Sequence, residues 1–127
     1  MPHAHAPDGS PGGLALIYTT LPDLETAERF GATLIDQRLV ACVNLFPGVV
    51  ALYEYDGKRE RASEVAAILK TTAARLEAAL AAAKEAHPYE VPALIVLDPA
   101  HTDPKFLSWA DAQVAPARPL DTARKGQ

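Results

Sequence analysis

The string His87-Pro88-Tyr89-Glu90-Val91-Pro92 places an imidazole, a phenol and a carboxylate at adjacent positions between two prolines. An imidazole near the end of a helix can ligate a metal, act as a pH-sensitive donor or serve as a general base. The plainer alternative is that His87 caps the last carbonyls of a helix and the prolines only shape the turn. Lys70-Thr71 closes a strand-like run and can meet an anion or pair with a carboxylate; pairing, with Glu90 the candidate, is the expectation. Tyr53, Tyr55 and Trp109 are expected in the core or at a subunit interface. Cys42, the single cysteine, lies in a strand-like run and is expected to pack as a small buried hydrophobe. His3 and His5 can bind a transition metal weakly, but Pro2 lacks the amide that a square-planar amino-terminal site needs. No CxxC, HExxH, paired-cysteine zinc spacing, glycine-rich phosphate loop or nucleophile elbow is present, so catalysis finds no sharp support.

These groups need a scaffold, and hydropathy patterning supplies one. LALIYTT (14–20) reads as a strand, and Pro22-Asp23 ends it and starts a helix. From Leu24 to Arg38, Leu24, Ala27, Phe30, Leu34 and Ile35 recur at helical spacing. ACVNLF (41–46) and VVALYEY (49–55) are strand-like and separated by Pro47-Gly48, which predicts a bulge in one long, bent strand. The stronger turn signal, Asp56-Gly57, precedes a strand over SEVAAILKT (63–71). A second helix is predicted over Ala73–His87, stopped by Pro88; Ala93–Leu97 is a strand, and Pro104–Val114 a short helix. The order β-α-β-β-α-β with a helical appendix is the split βαβ or ferredoxin-like α+β arrangement, in which one antiparallel sheet carries two helices on one face. The other face holds apolar strand residues with no helix to hide them, which predicts closed symmetric assembly.

The chain has 127 residues, 49% of them apolar and 22% charged, which fits one soluble globular domain. Residues 1–13 and 116–127 read as disordered tails flanking a domain over 14–115. The formal net charge is −4, and three of the twelve basic residues sit in the C-terminal tail, so the domain itself is more acidic still. Nucleic acid is therefore not an expected partner. A lone cysteine, no basic-then-apolar leader and no apolar run approaching the ~20 residues that cross a bilayer point to a cytoplasmic protein with no membrane role.

TTLPD (19–23), RLVACVNLFPGV (38–49), YEYDGK (53–58), SEVAAILKT (63–71), HPYEVP (87–92) and FLSWA (106–110) resemble, in order and spacing, the signature blocks of the CutA divalent-cation tolerance family. The resemblance spans roughly 14–115. It implies a ferredoxin-like fold, a tight homotrimer similar in outline to the P-II signalling proteins, and a role in the response to metal ions, copper especially, without enzymatic activity. Some family members are described as binding copper through a strand cysteine and histidines before Pro-Tyr. Here Thr19 and Ala86 occupy two of those positions, which leaves His87 as the metal ligand that the resemblance implies. Tyr55 replaces a tryptophan common in the family. The resemblance also places Tyr53, Lys70, His87, Tyr89 and Glu90 near clefts between subunits, where a metal or small molecule would bind. The alternative expectation is a P-II-like sensor of a small anionic metabolite with no direct metal binding.

Overall fold

The computed structural model describes residues 12–116. They form β1 (Leu14–Leu21), α1 (Leu24–Asp36), β2 (Cys42–Tyr55), β3 (Lys58–Thr72), α2 (Leu76–Ala86), β4 (Ile95–Leu97) and α3 (Pro104–Val114), with one 3-10 turn over Ala73–Arg75 leading into α2. The expectations for the two tails fall on residues 1–11 and 117–127, outside the described residues, apart from their inner ends. Gly13, which the sequence assigned to the tail, belongs to the fold, since its carbonyl accepts the Ala73 amide at 3.0 Å.

The sheet runs β2-β3-β1-β4 with every adjacent pair antiparallel. This is the order of the split βαβ arrangement expected from the sequence. Alternation along β1 and β3 sends Ala15, Ile17, Leu21, Val65, Ala67 and Leu69 to one face. There they pack on Ala27, Phe30 and Leu34 of α1 and on Leu76, Ala79 and Ala83 of α2, forming the main core. Asp23 starts α1 by accepting the Thr26 amide at 2.8 Å. Asp103 does the same for α3, accepting from the amides of Lys105 and Phe106 with Pro104 at the first helical position. The opposite face of the sheet is covered at one end only. There α3 lays Ala110, Val114, Phe106 and Leu107 over Leu14 and Leu16.

Two strands extend differently from the sequence-based expectation. The Pro47-Gly48 bulge is present: pairing steps from Phe46↔Ala66 to Val49↔Glu64, so β2 carries one residue more than β3 across that interval. Beyond it, β3 begins at Lys58 rather than Ser63. Asp56 and Gly57 both have positive φ, 54° and 79°, the two-residue hairpin turn whose twist matches its strands. It continues the ladder through Lys58, Arg59, Glu60 and Arg61. These charges hide the strand from a hydropathy reading because β1 pairs with β3 only from Val65 onward. Residues 49–64 are thus a two-stranded arm with solvent on both sides. β4, by contrast, is trimmed from the expected Ala93–Leu97 to three residues.

Candidate functional site

The helix α2 ends because Pro88 follows His87, and His87 takes an extended backbone, φ −73° and ψ 137°. That geometry swings the imidazole back under the sheet, where only 8% of the residue is exposed. Its Nδ1 accepts the Tyr89 amide at 3.1 Å, and its Nε2 stands 2.9 Å from the Thr20 carbonyl and 3.0 Å from Thr19 Oγ1. A carbonyl can only accept and an amide can only donate, so the network assigns the neutral tautomer with its proton on Nε2. Phe30 meets the ring edge-on at 5.5 Å and Tyr89 packs at 4.9 Å. Burial holds the His87 pKa below its usual value, against the opposing pull of the Thr20 carbonyl and the Glu64 charge.

This arrangement leaves His87 little to offer a metal. Both His87 nitrogens are committed, the hydroxyl of Thr19 faces the ring where a soft thiolate would have to stand, and Ala86 adds no nitrogen. Among the described residues no three His, Cys, Asp or Glu side chains gather as a metal site would require. The donor set therefore does not fit a transition metal held by His87, and the ring instead pins the end of α2 to β1 and α1. Cys42 is half-buried rather than buried, opposite Lys70 on the outer strand β2.

Tyr89 continues the chain of contacts. Its phenol donates to Glu64 Oε2 at 2.7 Å, tying the α2–β4 loop to the root of the arm. Burial first, then the bond to Glu64 and the negative charge around it, pushes the phenol well above its ordinary pKa, so it stays a donor at any physiological pH. Beside this bond lies a cleft of about 730 Å³. Tyr53, Tyr55, Ala62, Ser63 and Glu64 of the arm form one wall; Thr20 and Pro22 at the end of β1, with Tyr89, Val91 and Ala93 of the loop, form the other. The bulge makes this possible, because the extra residue puts Tyr53 and Tyr55 on the same side of the ribbon as Glu64.

The structure thus joins Tyr53, His87 and Tyr89 of the five expected site residues and separates the other two. Lys70 shares β3 with Glu64 but stands six residues further along, roughly 20 Å at strand rise. Its ammonium lies 5.4 Å from the centre of the Phe106 ring, under α3, in place of the expected pairing with Glu90. Glu90 is exposed in the loop and lines no wall of the cleft. Of the aromatics expected in the core or at a subunit interface, Tyr55 is 70% and Trp109 45% exposed, so neither lies in the core of the protomer. Glu64, Ser63 and Thr20 were not singled out from the sequence. The available signal was Glu64 itself, a carboxylate opening an otherwise apolar strand.

A family model described as "CutA1 divalent ion tolerance protein" matches residues 15–113. The divalent-cation tolerance protein CutA of Escherichia coli O139:H28 is 40% identical over 99 residues, 78% of this chain and 88% of that one. Among solved structures, CutA1 from Ehrlichia chaffeensis superposes with a TM-score of 0.80 at 34% identity, covering 82% of this chain and 97% of the other. CutA1 from Pyrococcus horikoshii gives a TM-score of 0.76 at 39% identity, covering 80% of this chain and 99% of that one. A CutA from Archaeoglobus fulgidus described as periplasmic gives 0.76 at 34% identity, with 80% and 99% coverage. The sequence match and the fold are therefore those of a known family: the chain belongs to the CutA1 divalent-ion tolerance proteins.

Proposed function

We propose that this chain acts in the response to divalent cations as a homotrimeric binding protein, not an enzyme, with its ligand site in the cleft at the root of the arm. The observation that carries this is the uncovered sheet face beside the cleft. Phe46 is 48%, Ile95 50% and Leu97 43% exposed on it. Contiguous apolar surface of this kind, next to a long outer strand with unpaired backbone groups, calls for a partner, and an identical copy is always at hand. Three copies meeting about an axis would bring neighbouring chains against the cleft and complete its walls. Metal tolerance then follows from what the cleft binds rather than from coordination by His87. A cytoplasmic location is part of the same proposal and is tested by fractionation, since the Archaeoglobus relative is described as periplasmic.

Light scattering at micromolar concentration tests the assembly. The expected mass is three times the 13.5 kDa protomer. A well-behaved monomer would overturn the shared cleft with it. Calorimetry with copper, zinc and cadmium on the wild type and a His87→Gln variant tests the metal half, and matching isotherms are expected for the two proteins.

A further inference from the structure

We infer that the cleft takes an organic cation, an ammonium or guanidinium group carried on an apolar or aromatic body. This rests on the cleft being a ligand site and adds the class of ligand. Among the described residues that line it, Glu64 alone is charged, and no lysine, arginine or histidine points a donor into it. Glu60 stands cross-strand from Tyr53 on the same side of the ribbon, and Asp23 lies near enough to disfavour ionisation of the Tyr89 phenol. Lys58, opposite Tyr55 at the tip of the arm, is the one cation on that side of the ribbon.

Hydrogen-bond roles point the same way. Tyr89 gives its proton to one oxygen of Glu64, so its own oxygen can only accept from a ligand, and the carboxylate keeps further lone pairs for a ligand N–H. An anion entering here would meet acceptors and a carboxylate, with only hydroxyl protons to offset the repulsion. Tyr53 and Tyr55, 48% and 70% exposed, offer ring faces to a cation, while Pro22, Val91 and Ala93 suit an apolar body. A volume near 730 Å³ is within the range of small-molecule sites.

The test uses three probes of one shape on the full-length assembled protein: benzylammonium, benzyl alcohol and benzoate. Binding is followed by NMR shifts of cleft residues and by thermal shift. Benzylammonium is expected to perturb Tyr53, Ser63 and Tyr89 and to bind about tenfold more tightly than benzyl alcohol, as a charge-assisted hydrogen bond allows, with benzoate weakest. Glu64→Gln keeps an acceptor for the Tyr89 phenol and should erase the preference while sparing benzyl alcohol binding. Tyr55→Leu should weaken benzylammonium roughly fivefold. If the alcohol or benzoate binds as tightly as benzylammonium, the cation assignment is overturned and the cleft survives as a site. If no probe moves a cleft resonance, both are overturned.

Discussion

Replacing His87 by alanine separates a pin from a ligand. The wild-type ring holds the Thr20 carbonyl and Thr19 hydroxyl through Nε2 and the Tyr89 amide through Nδ1, and packs edge-on against Phe30. Each hydrogen bond contributes about 1 kcal/mol net, and Thr19 is fully buried, so its orphaned hydroxyl draws on the upper part of that range. The ring contact adds about 1 kcal/mol. The Tyr89 amide belongs to a half-buried loop and recovers part of its loss from water. The sum is about 3–4 kcal/mol. Urea unfolding at one fixed protein concentration measures it, because any self-association would make apparent stability concentration-dependent. Thr19→Val, alone and combined with the His87 change, closes a double-mutant cycle whose coupling should be about 1 kcal/mol. A loss below about 1 kcal/mol for His87→Ala, or no coupling to Thr19, would refute the pin and return the imidazole to the pool of available ligands.

Acid should loosen the same latch. The folded state holds His87 below the 6.5 of an ordinary imidazole, so the unfolded chain takes up this proton first. Its contribution is whole above pH 6.5 and drains away as pH falls through the lower folded-state value; thermal melts across that window should show a slope that His87→Gln flattens. Gly57→Ala forces a Cβ onto a residue with φ of 79° at the arm's tip, and should destabilise by about 1–2 kcal/mol in urea unfolding without moving the core. Asp23→Ala removes the acceptor for the Thr26 amide at the start of α1 and should lower the urea midpoint in the same assay.

Local rules carried most of the fold. Pro22-Asp23, Pro88 and Pro104 mark element boundaries through restrictions that act within a few residues, and the structure places α1, the end of α2 and α3 where those residues require. The bulge was legible for the same reason, since Pro47 cannot donate to a ladder and Gly48 reaches a φ of 83°. The first half of β3 was not legible. Lys58, Arg59, Glu60 and Arg61 have no buried face to generate alternation, and their strand is held by a partner strand rather than by a core.

The site divides along the same line. By itself the sequence determined the element order, the caps, the bent strand and the apolar face left open on one side of the sheet, all consequences of backbone chemistry and short-range periodicity. It also brought His87 and Tyr89 together, because two residues beyond a helix end can close back on each other. Only the tertiary structure decided that His87 is spent on Thr19 and Thr20, that Lys70 lies under α3, and that Glu64 and Tyr53 meet Tyr89 across the cleft. Those meetings depend on strand register, and one extra residue in a bulge fixes which side of the ribbon each side chain occupies. No window of sequence contains that information, because it arises when residues 68 positions apart are hydrogen-bonded to one another.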